Sequence, residues 1–211
     1  MDYSIANKTP DVAQAVVGHH VDASGNAQPQ SAATPQPVSS VPRTIVVAAA
    51  AALTRPANTT AYSAGDAVSN NATAASVTPI SFAASDVANA PVTLTHLELL
   101  SGDTGPAAAG ASFEAWLFNA DPTANSGVGG GDNAAFSQKQ AGFIGRMSGT
   151  FIAASDGSMA ILTPVDGSFL PTTPVSGGVA IHALLKTLTA FTPSANSTTF
   201  TATLKGFQGR A

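Results

Sequence analysis

From Arg43 onward, apolar and polar side chains alternate with a period of two, and Gly, Pro, Ser and Asp interrupt the runs, a pattern that predicts strands. Thr44–Val47 is β-branched and extended. Pro91–Leu100 places Val92 and Leu94 on one face and, after a slip of one residue, Leu97 and Leu99 on the same face, leaving Thr93, Thr95 and His96 on the other. Ser112–Phe118 forms a second strong strand, closed by Asn119, Asp121 and Pro122, which favour a turn. Gly142–Met147, Gly149–Ala153, Ala160–Leu162, Val179–Leu185 and Thr198–Leu204 follow. About eight short strands, with no long helical period among them, predict an all-β fold: an antiparallel β-sandwich of jelly-roll type over residues 43–211.

Residues 1–42 read differently. Pro10, Pro29, Pro35, Pro37 and Pro42 punctuate a stretch rich in Ala, Ser, Gln and Val, which predicts an extended N-terminal arm. A short helix over Thr9–Val17 is the one regular element suggested, because Pro10 suits a first helical position behind a threonine cap. Tyr3, Ile5, Val12, Val16 and Val17 have no core of their own to enter and are expected to anchor on a partner surface. Pro35, Pro37 and Pro42 would keep the connection extended, and a fully extended arm of this length reaches about 140 Å.

Composition narrows the functional classes. Charged residues make up 9% of the 211, against about a quarter in an ordinary globular chain, so both a charged surface and a supply of buried catalytic groups are thin. The surface must be covered by Ala, Thr, Ser, Asn and Gly, which suits a subunit that rests permanently against other protein. A net charge of −4 with Lys and Arg scattered singly gives no basic stripe, and neither nucleic acid nor an anionic membrane is an expected partner. The longest apolar run, Ile45–Leu53, is nine residues, short of the ~20 that span a bilayer. Met1–Ser4 shows no basic start to a secretory signal. The absence of Cys removes disulfides and thiolate metal sites.

Candidate chemistry is sparse. Asp121, Asp132 and Asn133 flank the Gly127–Gly131 run and offer oxygen donors for Ca²⁺, but without the spacing of a calcium loop they read as turn and cap residues. No Gly-Lys-Ser/Thr follows the glycines, so a flexible hairpin tip is expected rather than a phosphate loop. His19, His20, His96 and His182 stand outside any nucleophile motif. Glu98 and Glu114, the only glutamates, suggest a glycosidase pair less readily than side chains that each face solvent or pair with Arg146 or Lys186 across a sheet. Trp116 with Tyr62 and Phe118 would make a sugar-stacking platform if exposed, and core if not. No catalytic residue, metal or cofactor is expected, and the chain reads as a non-enzyme.

Leu53–Val68 has a physical reading of its own. Pro56 fixes its φ and biases Arg55 to extended geometry, Gly65 and Asp66 supply a reversal, and Tyr62 is presented at the bend. Arg55 is expected to pin this corner by bidentate donation to a carboxylate such as Asp66. The same stretch resembles the R-P-x-x-T-T-x-Y-x-x-G-D-x-V opening of a group of tailed-bacteriophage structural proteins. The likeness continues through Phe113–Phe118, Asp121–Thr123, Gly131–Phe136 and Phe191–Pro193, covering about residues 53–205. The resemblance implies a capsid decoration, or cement, protein on the outer surface of the virion, with the major capsid protein and other copies of itself, as dimer or trimer, for partners. A tail or head-fibre subunit contacting the host, and a carbohydrate-binding module, are the alternatives.

Overall fold

A computed structural model describes residues 19–21, 27–29, 43–46, 52–124, 129–137, 142–167, 169–174 and 177–208. The chain divides into two units, Met1–Ser40 and Val41–Ala211. In the first, β1 (His19–Val21) pairs antiparallel with β2 (Ala27–Pro29), so that His19 faces Pro29 and Val21 faces Ala27. The expected anchors Tyr3, Ile5, Val12, Val16 and Val17, the helix over Thr9–Val17, and Pro35, Pro37 and Pro42 lie outside the described residues.

The second unit is all-β. Its strands are β3 (Arg43–Val46), β4 (Ala52–Thr54), β5 (Ala67–Val68), β6 (Ile80–Ala83), β7 (Val92–Ser101) and β8 (Ser112–Phe118), followed by β9 (Phe143–Thr150), β10 (Ile152–Ala154), β11 (Gly157–Pro164), β12 (Leu170–Thr172), β13 (Ala180–Thr187) and β14 (Thr199–Gln208). Gly105–Ala108 is the one α-helical turn among the described residues. The backbone ladder runs β3-β14-β7-β11-β9-β8-β13-β5, with β4 also on β14, β6 on β13, β10 on β11 and β12 on β7, every pair antiparallel. β11 joins the halves: Ser158–Leu162 pair with β7, then Thr163 and Pro164 pair with β9. The sheet therefore curls on itself as a half-barrel.

Alternation explains which face is inside. Val92, Leu94, Leu97 and Leu99 of β7 are buried together, and the slip has a visible cause: Lys205 faces His96 while Gly206 faces Leu94, leaving Thr95 as the extra residue of a bulge. Thr95 Oγ1 donates to Lys205 O at 3.0 Å and so satisfies a carbonyl there. Phe200, Ala202 and Leu204 of β14, Ile181, Ala183 and Leu185 of β13, and Phe113, Ala115 and Leu117 of β8 complete the inner face. At its centre Phe113 meets Phe151 edge-on at 4.8 Å and Phe191 and Phe200 at 5.4 and 5.7 Å, the offset geometries that aromatic quadrupoles favour.

β8 is buried on both sides. Trp116 and Phe118, pointing away from the main core, form a second cluster with Leu184 of β13 and Val77, and Phe136 and Phe143 pack against it. The cover comes from residues 129–137. Gly131 makes that approach possible: a Cβ there would stand 1.9 Å from Ala72 O, so no other residue fits. Gly129–Gly131 is thus buried packing against neighbouring backbone and Leu184, whereas a flexible hairpin tip over Gly127–Gly131 was expected; Gly127 and Val128 lie outside the described residues.

Candidate functional site

The corner between β4 and β5 comes first, because the sequence singles it out. Gly65 adopts φ +93°, a left-handed value that favours glycine, and Asp66 N closes the reversal on Ser63 O at 3.2 Å. Thr187 of β13 fastens it, since its Oγ1 donates to Ser63 O at 2.7 Å and accepts from Asp66 N at 3.0 Å. Pro56 O accepts from Asn58 N at 2.8 Å, tightening the entry to the corner.

The expected Arg55–Asp66 pairing does not form. Asp66 turns its carboxylate back to accept Ser63 N at 2.6 Å, and Arg55 pairs instead with Tyr62 and Asp132. Arg55 Nε donates to the Tyr62 hydroxyl, which donates to Asp132 Oδ1 at 2.6 Å, while Arg55 Nη2 stands 3.6 Å from Asp132 Oδ2. The guanidinium also lies 4.6 Å over the Tyr62 ring, and that ring stacks on Phe191 at 4.8 Å. Burial pushes the Tyr62 hydroxyl far above its ordinary range, Asp132 adds to that shift, and Arg55 opposes it. Tyr62 is therefore a fixed donor at any working pH. Ser69 N donates to the same Asp132 oxygen at 3.1 Å, so one carboxylate ties the corner, β5 and the covering loop together.

This arrangement also settles the fate of the calcium donors. Asp132 is the counter-ion of Arg55, Asn133 takes φ +59° and donates its backbone N to Ala67 O, and Asp121 accepts from Thr123 N and Oγ1 at 2.9 and 2.7 Å. The three side chains serve separate turns and do not converge.

The glutamates are likewise apart. Glu114 lies buried on the outer face of β8, accepting from Trp116 Nε1 at 2.7 Å and Arg146 Nη1 at 3.1 Å, with Lys186 Nζ at 3.6 Å. Glu98 sits on the outer face of β7 and accepts from Lys205, with His96 Nε2 at 3.8 Å. Cross-strand pairing thus engages both glutamates, Glu114 with the expected Arg146 and Lys186, and Glu98 with Lys205. Every described cationic side chain, Arg55, Arg146, Lys186 and Lys205, is taken by a carboxylate. His182 lies between Phe118 and Ser81 in the ladder; burial lowers its pKa and the charge of Asp121 opposes that.

Trp116 is only 4% exposed, and Tyr62 and Phe118 are buried too, so these rings make no sugar-stacking platform. Sequence reasoning missed Asp103. Its Oδ1 accepts from Gly105 N, Ser194 N and Ser194 Oγ, and its Oδ2 from Thr198 Oγ1, which anchors the loop before β14 to the end of β7. The signal was present in Asp103-Thr104-Gly105-Pro106, a turn-forming run.

What remains is a surface. On the outer face of the β10-β11-β7-β14 half, Ile152, Met159, Leu100 and Thr201 lie side by side across four strands, and Ile161 follows on the next rung beside Glu98 and Thr203. Ile152, Ile161 and Leu100 are 60, 52 and 45% exposed. Contiguous apolar exposure of this kind marks contact with another macromolecule more often than a lone exposed Leu does. A recess of about 340 Å³ borders this row, lined by Leu100, Ser101, Gly102, Ala154, Asp156, Ser158, Thr199 and Thr201, with Asp156 as its single titratable group. No protein-family model, curated protein or solved structure matches the chain.

Proposed function

We propose that this chain is a capsid decoration (cement) protein, a non-enzymatic virion subunit on the outer surface of a tailed-phage head. The observation that carries the assembly half of this reading is the bare outer face bearing Ile152, Leu100 and Ile161 on a chain whose described cations are all internally paired. Such a face gains by leaving water and offers no charged grip to nucleic acid. The virion half rests on the resemblance at Leu53–Val68, whose Arg55 and Tyr62 build a buried staple with Asp132.

In this reading the curled sheet is a jelly-roll-type sandwich and residues 1–42 an extended arm. Its partners are the major capsid protein and other copies of itself. The arm adds as a strand to the edge of a neighbour, using the unpaired N–H and C=O groups that edge strands present. A dimer or trimer touching several capsid subunits gains effective concentration without stronger single contacts. Densitometry of purified particles tests the reading: a band in stoichiometric proportion to the major capsid band is expected. A few copies per particle would favour the tail or head-fibre alternative, and absence from the particle overturns both.

A further inference from the structure

We propose that the bare outer face of β7, β11 and β14 is the contact between two copies of this chain, packed about a two-fold axis. The inference rests on the reading of the chain as an assembly subunit and names the partner that covers this surface. Charge on this face selects that partner. The rungs through Leu100, Glu98 and His96 carry three ionisable side chains among the described residues, Glu98, Lys205 and His96, and Lys205 donates to Glu98 within the same copy.

A partner of either net sign would meet repulsion from one member of the Glu98–Lys205 pair as it gains attraction from the other. A second copy turned by 180° escapes this, because the two-fold that bisects the line from Glu98 to Lys205 sets each acid over the other copy's base. The spacing of the ladder extends the match. Strands lie about 4.8 Å apart and same-face residues about 6.8 Å apart, so the same operation carries Ile161 to the neighbourhood of the second copy's Phe207. Phe207 is an exposed aromatic side chain on this face, one same-face step along β14 from Lys205. Leu100 then falls over the β3 side of the second copy. The interface has charge exchange at its centre and apolar contact around it.

Charge reversal tests this on the full-length chain. Glu98→Lys leaves a face with two bases and Lys205→Glu one with two acids, and both side chains reach solvent in part, so folding is checked by an unchanged circular dichroism spectrum and melting midpoint. Sedimentation is expected to give a dimer for the parent chain, a monomer for each variant at the same concentration, and a dimer again for the equimolar mixture. A parent chain that sediments as a monomer, or a dimer that survives both changes, overturns the proposal. Binding of each species to purified phage heads separates the two readings: a parent chain that sediments as a monomer and still binds heads discards this face and keeps the decoration role. A face-dependent dimer that binds none does the reverse.

Discussion

The two halves of the curled sheet share strand geometry and differ in what lies outside them. Around β8 and β13 the outward side chains Trp116, Phe118 and Leu184 are buried under residues 129–137 and Val77, whereas around β7, β11 and β14 the outward Leu100, Ile161 and Ile152 face solvent. One half is a three-layer structure made by the chain itself. Over the other, no segment among the described residues returns to cover Leu100, Ile152 and Ile161. The contrast teaches that an outward apolar residue is core or interface according to whether a loop of the same chain returns over it, and here the returning loop is held by the Asp132 carboxylate together with backbone bonds to Gly65, Ala67 and Asn71.

Removing that carboxylate should disturb the contrast most. Asp132→Ala leaves Arg55 buried without its counter-ion and unties the covering loop, and a loss of about 3–5 kcal/mol in urea unfolding is expected. A loss near that of an ordinary surface change would mean that the network does not hold the loop. Leu184→Ala probes the covered half directly and should cost about 2–5 kcal/mol, the range for a buried leucine. Acid comes next in size. Burial pushes the Asp103 carboxyl up, but the hydrogen bonds from Ser194, Gly105 and Thr198 outweigh it and hold the group below the usual range.

The sign follows from proton linkage: the unfolded chain binds the Asp103 proton more readily. Its contribution is fully present above the unfolded carboxyl value of about 3.9 and is lost as pH falls through the lower folded value. Melting followed from pH 6 down to pH 2 should show a shallower decline for Asp103→Asn than for the parent. Smallest of all, Ile152→Ser on the bare half should change monomer stability by no more than about 0.5 kcal/mol. A cost comparable to that of Leu184→Ala would show that something of the same chain covers Ile152 after all.

Much of the sheet was legible in the sequence because period-two alternation is a local property. The β7 slip is legible in the step from Leu94 to Leu97, whereas the burial of β8 on both faces is not among the expectations, because Ser112–Phe118 reads only as a strong strand until residues 129–137 return over it. β4, β6 and β12 were not predicted, since three or four residues carry too little pattern to separate a strand from a loop. The Arg55 partner was misjudged for a different reason. Asp66 is near in sequence, while Asp132 is near only after the glycine run has packed against Ala72 and Leu184, and no local pattern encodes that return. Sequence could match Glu114 to Arg146 and Lys186 on paired strands, but not Arg55 to Asp132 across a returning loop.

β11 carries a mechanical consequence. Through the backbone ladder the two halves meet in this one strand, where Leu162 still bonds to β7 and Thr163 already bonds to β9. Within the ladder, shear between the halves is therefore carried by the Leu162–Thr163 step, while the 55–66 segment, bonded to Thr198 at one end and Thr187 at the other, and the shared core bridge the halves outside it.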